Sequence, residues 1–169
     1  MMIRPLALLI ALAMAAPALA ATAPKMPIAT FAELKTPLPY PYEEQADADR
    51  AVAAAKARAK AEHKLLLIDL GGNWCGDCRV LAGTVEIPAL KRFVDAHYVT
   101  VTVDVGRFNK NLQVPAAYGI HDRLAGVPAL LIVDPRTNRL LDAGHEAALA
   151  DARSMSPQAL ADWLAQWPR

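Results

Sequence analysis

Two cysteines stand three positions apart in Trp74-Cys75-Gly76-Asp77-Cys78, and the 169-residue chain has no others. A dithiol at this spacing, placed where a helix begins, can close to a disulfide and open again. Unpaired N–H groups and the macrodipole at a helix N-terminus favour a thiolate, so Cys75 is expected to be the attacking sulfur. Cys78, one turn on and shielded by the same helix, is expected to resolve the mixed disulfide. A purely structural staple is the alternative. A loop this small restricts the unfolded chain little, and exported domains held by disulfides carry more cysteines at wider spacing.

The residues around the pair suggest how it is tuned. Gly76 and Asp77 lie between the two sulfurs. A carboxylate at position 77 raises the cost of a Cys75 thiolate, which favours the disulfide and predicts a couple toward the reducing end. The competing reading makes Asp77 a solvated first-turn residue with little influence. Trp74 is expected to shield Cys75 and to offer a flat surface to partners, or else to be a core aromatic. His63, His97, His121 and His145 are scattered, and only His121 is a candidate to approach the cysteines, so no metal site is expected. Position 79 is Arg79, which removes the C-x-x-C-H haem attachment pattern. There is no Gly-rich nucleotide motif, so no bound cofactor is expected and electrons must come from or go to a partner.

Eighteen basic and seventeen acidic residues leave a formal net charge of +1, with no basic block to track a phosphate backbone. Nucleic acid is therefore not an expected partner. Residues 1–20 read as a signal peptide: a short positive start at Arg4, an apolar stretch from Leu6 to Ala16, and Ala18-Leu19-Ala20 before a cut after Ala20. Export, to a periplasm or beyond, follows as an expectation. The apolar run is short for a bilayer span and Pro17 interrupts it, so no stable membrane anchor is expected.

The elements that must hold the dithiol follow in order. Residues 21–42 carry Pro24, Pro27, Pro37, Pro39 and Pro41, an extended tether or a strap over the domain, with Phe31, Leu34 and Tyr40 as candidates to dock it. Residues 43–62 predict an Ala-rich surface helix with acids early and bases late. Lys64 to Leu70 is an apolar run suited to a strand covered on both faces. A turn at Gly71-Gly72-Asn73 leads into the helix of the cysteines, expected to break at Gly83-Thr84. A second helix is predicted from near Ile87, with Pro88 in its first turn. Tyr98 to Val105 predicts a strand, Asn111 to Tyr118 a short helix, Ala129 to Val133 a strand, and Arg139 to Ala143 its antiparallel partner. Ser156-Pro157 starts a last helix running to Trp167. Alternating elements ending in a hairpin and a helix argue an α/β fold with a central mixed sheet and helices on both faces.

These landmarks resemble the thioredoxin family over roughly 60–168, within a domain of residues 43–169. The motif Trp74-Cys75-x-x-Cys78, Asp69 upstream of it, Val101-Thr102-Val103-Asp104, and Tyr118-Gly119-Ile120 followed by Gly126-Val127-Pro128 occur in the family's order. The resemblance implies a thioredoxin fold with an extra N-terminal helix, and a monomeric protein-disulfide oxidoreductase acting on protein thiols and disulfides. It places Asp69 beneath the motif, where burial would raise its pKa and suit it to take the proton of Cys78. An Asp hydrogen-bonded at a strand end is the alternative. It also implies a cis Val127–Pro128 bond opposite the cysteines, with the Val127 backbone pairing to an extended client segment. Two features depart from the family's short form: His121-Asp122-Arg123-Leu124-Ala125 is inserted before Gly126, and the long second helix is split. The same dithiol would equally serve an oxidase or isomerase, and a binding module that never cycles is the non-enzymatic alternative.

Overall fold

The structure is a computed structural model that describes residues 21–167; the expected signal peptide and its cut lie outside the described residues. Strand β1, Leu65–Gly71, is buried at all seven positions, which explains its unbroken apolar run. It pairs in parallel with β2, Tyr98–Asp104, and antiparallel with β3, Ala129–Asp134; β4, Arg139–Leu140, completes the mixed order β2-β1-β3-β4. Strand alternation divides the core. Leu65, Leu67, Leu130 and Ile132 pack toward one face, and Leu66, Ile68, Leu70, Leu131 and Val133 toward the other.

Helices cover both faces. Helix α1, Ala48–Ala61, lies against β1 and β2 and buries Ala48 and Ala59. Helices α2 (Gly76–Val85), α3 (Pro88–His97) and α5 (Pro157–Leu164) contribute Leu81, Leu90, Phe93, Leu160 and Leu164 to the opposite layer. Helix α4, Gln113–Ala116, is a single turn. Among the described residues, no helix is long and apolar enough to cross a membrane.

Several boundaries differ from the sequence expectation, three of them for a clear local reason; in addition α4 is shorter than 111–118 and α5 ends at Leu164, before Trp167. Helix α1 starts at residue 48, because the Asp47 side chain caps it by accepting the Arg50 N–H at 3.0 Å. Helix α2 runs through Gly83 and Thr84. The missing side chain of Gly83 leaves room for the strap, since a Cβ there would stand 3.0 Å from Leu38, and the Thr84 hydroxyl donates to the Val80 carbonyl. The break falls instead at Ile87, extended before Pro88. Strand β4 is only two residues long, because the Asp142 carboxylate accepts the Ile132 N–H at 2.8 Å where a backbone carbonyl would otherwise pair.

The proline-rich segment is a strap bound along the domain. Gln158 of α5 ties Met26 and Pro24; the Arg79 guanidinium of α2 donates to the carbonyls of Leu38 and Pro39; Thr102 of β2 donates to Pro41. Leu34 is buried and Phe31 packs against the core layer of Met26, Leu65 and Leu67, as expected. Tyr40 is not docked in the core. It is 65% exposed under the Arg79 guanidinium, 3.9 Å from its ring centre, and Tyr42 goes inside in its place at 3% exposure.

Candidate functional site

The site forms where β1 ends. Gly71 closes the strand, Gly72 and Asn73 turn the chain, and Cys75 caps α2 with its sulfur accepting the Cys78 N–H at 3.2 Å. No side chain fits at Gly72, where a Cβ would lie 2.6 Å from the Trp74 indole nitrogen. The turn is also fastened to the strap. Asn73 accepts the Tyr42 N–H at 3.1 Å and donates to the Tyr42 carbonyl at 2.8 Å.

The two sulfurs sit in different environments. A hydrogen bond from the Cys78 side chain and the N–H groups of Cys78 and Asp77 together bring the Cys75 thiol down to about 7, against opposition from burial and the Asp77 charge. Cys78 is fully buried, and its hydrogen bond to Cys75, desolvation and the neighbouring Asp69 charge all push its thiol up. Cys75 itself is 5% exposed, and its thiol donates to the Val127 carbonyl at 3.3 Å. That places Val127, itself buried, directly against the attacking sulfur, with a cis bond to Pro128.

Asp69 lies on β1 opposite Thr102 of β2 and Leu130 of β3, 6% exposed. Burial raises its carboxyl to about 7, partly relieved by a hydrogen bond from the Tyr42 hydroxyl at 2.8 Å. Asp69 also lines a cavity of about 340 Å³ whose roof is Pro39, Tyr40 and Pro41 of the strap. A carboxyl poised near neutrality can hold or release a proton in step with Cys78.

Asp77 is neither beside a bare sulfur nor solvated. It is buried, and Arg153 grips it through the backbone N–H at 2.9 Å and through the guanidinium at 3.0 and 2.5 Å. Burial alone would raise the Asp77 carboxyl, but these bonds outweigh it and hold it below the usual range. The guanidinium also lies over Gly76, where a Cβ would be 3.2 Å from its terminal nitrogen. Trp74 is 43% exposed, with its indole N–H on the Gly106 carbonyl at 2.8 Å. Among the described residues, no group of three or more His, Cys, Asp or Glu side chains is placed to hold a metal ion. His121 is exposed on its loop.

Tyr42 and Arg153 are the site residues that sequence reading missed. Tyr42 hides among prolines beside a more prominent tyrosine, and Arg153 is 76 positions from its partner, with no motif to mark it.

Comparison with known proteins agrees with this geometry. A family model described as thioredoxin-like matches residues 47–135. The thioredoxin of Alicyclobacillus acidocaldarius subsp. acidocaldarius is 32% identical over 69 residues, 41% of this chain and 57% of that protein. The chain thus spans little more than half the length of that curated relative. The crystal structure of a disulphide isomerase from Xylella fastidiosa Temecula1 is similar at a TM-score of 0.66 and 38% identity, over 76% of this chain and 96% of that one.

Proposed function

Because this chain belongs to the thioredoxin-like family, we propose that it is a protein thiol–disulfide oxidoreductase that reduces or exchanges client disulfides through Cys75 and Cys78. The observation that carries the reading is the asymmetry of the pair: a thiol brought down to about 7 at a helix N-terminus, and a fully buried partner thiol pushed up beside a carboxyl at about 7.

The Cys75 thiolate attacks one sulfur of a client disulfide. A Cys75–client disulfide forms, the client S–S bond breaks, and the first client thiolate leaves. Cys78 then gives its proton to Asp69, and its sulfur attacks Cys75. The Cys75–Cys78 bond forms and the second client thiolate leaves, so the client gains the two electrons that the dithiol loses. Asp69 afterwards releases its proton toward the cavity beneath the strap. The Val127 carbonyl, no longer bonded to a Cys75 thiol once that sulfur is engaged, accepts an N–H of the extended client segment. The exposed Trp74 completes the docking surface, with Pro128 buried beside Val127. A second dithiol protein returns the pair of electrons, and no bound cofactor takes part.

The direction proposed is reductive, because the Asp77 charge opposes the Cys75 thiolate, although its pairing with Arg153 weakens that opposition. The named isomerase relative favours a second reading, in which a second thiolate of the client attacks the client sulfur of the mixed disulfide, a new S–S bond forms within the client, and the Cys75 thiolate leaves before Cys78 acts. The protein is proposed to work as an exported monomer after loss of residues 1–20.

Insulin reduction by the dithiothreitol-recycled protein tests the proposal. Wild type is expected to turn over, Cys75→Ser to be inactive, and Cys78→Ala to accumulate a client mixed disulfide. Turnover by Cys75→Ser at the wild-type rate would overturn it.

A further inference from the structure

Three guanidinium groups from separate parts of the chain lie around the motif Trp74-Cys75-Gly76, two of them directly and one through Phe108. Arg107 lies over the Trp74 ring, 4.5 Å from its centre. Phe108 meets the same ring edge-on at 6.2 Å, and Arg123 lies over Phe108 at 4.4 Å. Arg153 covers Gly76 from the third side while its charge is committed to Asp77.

The first two differ from the third. Arg107 and Arg123 take part in none of the ion pairs among the described residues. Both are exposed, and each is held by an aromatic face. A guanidinium resting over a ring face makes no hydrogen bond to it, so its N–H donors remain available as the fork that matches a carboxylate. The stack is fixed from below. The Trp74 indole is tied to Gly106, the Gly106 N–H to Asp104, and the Arg107 N–H to Asn109. Phe108 holds a left-handed backbone, φ +65°, which an aromatic residue rarely adopts. Arg123 belongs to the inserted 121–125 loop, and four residues later that loop delivers the Val127 carbonyl to Cys75. The two free forks thus sit on the Trp74–Phe108 pair, and Trp74 is next in sequence to the attacking sulfur. The acids near this surface are Asp77 and Asp104, both buried in ion pairs, and the exposed Glu44, Asp122 and Asp151, Glu44 accepting from the Asn73 side chain at 3.4 Å.

We propose that this arginine–aromatic stack selects protein clients whose disulfide is flanked by Asp or Glu, the client carboxylates pairing with Arg107 and Arg123 as Cys75 attacks. The inference rests on the oxidoreductase reading and uses its exchange step unchanged.

Three peptide disulfides of one length, with Glu, Gln or Lys flanking the cysteine, test it. Each is reacted with the reduced protein, and its rate constant is divided by that for 2-mercaptoethanol to remove intrinsic reactivity. The Glu peptide is expected to exceed the Gln peptide by about fivefold at low ionic strength, the worth of two exposed charge pairs, and the Lys peptide to fall below it. The Glu-to-Gln ratio should collapse toward one in 0.5 M salt and in the R107Q/R123Q variant, and invert in R107E/R123E. Equal normalised rates for the three peptides, or a ratio that survives in both arginine variants, would overturn the inference and leave the exchange chemistry standing. Failure to react with any peptide and with the uncharged 2-hydroxyethyl disulfide would overturn both.

Discussion

The Tyr42 hydroxyl donates to the Asp69 carboxylate at 2.8 Å, joining the proline-rich strap to the buried acid under the dithiol. Both residues are buried, so solvent does not screen the bond. A donor to the charged form favours ionisation, and Tyr42 therefore keeps Asp69 from rising further above about 7.

Tyr42→Phe should push the Asp69 carboxyl higher. Less carboxylate is then available at pH 7 to receive the Cys78 proton. The resolving step is expected to slow roughly fivefold to tenfold at neutral pH and to recover as pH rises, moving the pH–rate midpoint to the alkaline side. Stopped-flow release of a client thiol from the Cys75 mixed disulfide, followed from pH 6 to 9, measures this. An unmoved midpoint would show that the strap takes no part in the proton transfer.

The Asp77–Arg153 pair makes a two-sided prediction. Arg153→Gln leaves the Asp77 charge uncompensated near Cys75, which raises the Cys75 pKa above about 7 and makes the couple more reducing. Asp77→Asn removes the opposing charge and frees Arg153, so the pKa falls and the couple becomes more oxidising. Shifts of roughly 10–30 mV in opposite directions are expected by glutathione equilibration. Movement of both variants in the same direction would contradict the electrostatic account.

Asp69 also sets a pH dependence of stability. Its folded pKa, about 7, lies above the 3.8 of an ordinary aspartate. Between those values the folded chain binds more protons than the unfolded one, so stability is highest at acid pH and declines as pH rises through the window. Asp142, raised to about 7 by burial, adds a second contribution of the same sign. Asp69→Asn removes the first contribution only. In urea unfolding of the reduced protein, the variant should match wild type at pH 4 and exceed it by roughly 2–4 kcal/mol at pH 8. Identical pH profiles would mean that Asp69 is not the titrating group.

Gly71→Ala tests the closeness of packing at the end of β1. A Cβ there would lie 2.6 Å from the Tyr42 ring and 2.7 Å from the Cys78 sulfur. Overpacking of this kind is expected to cost roughly 2–3 kcal/mol in urea unfolding. A variant as stable as wild type would show that the strap yields at Tyr42 without loss.

Much of this protein is legible from sequence by itself. The dithiol spacing places two sulfurs on one turn of a helix, and Pro88 stops that helix whatever surrounds it. The apolar run from Leu65 to Leu70 demands cover on both faces, and the β-branched strand from Tyr98 supplies a neighbour. Such signals are local, because periodicity and backbone chemistry act over a few residues. The environment of the sulfurs is another matter. Which tyrosine of the strap enters the core, which arginine neutralises Asp77, and which two remain free on aromatic faces depend on residues brought together across 15 to 76 positions. Burial and pairing are properties of the assembled volume, and they decide the charge at Asp69, Cys75 and Asp77. The fold's outline was therefore written in the chain's local patterns, while the proton inventory of the site was decided only when distant segments packed against one another.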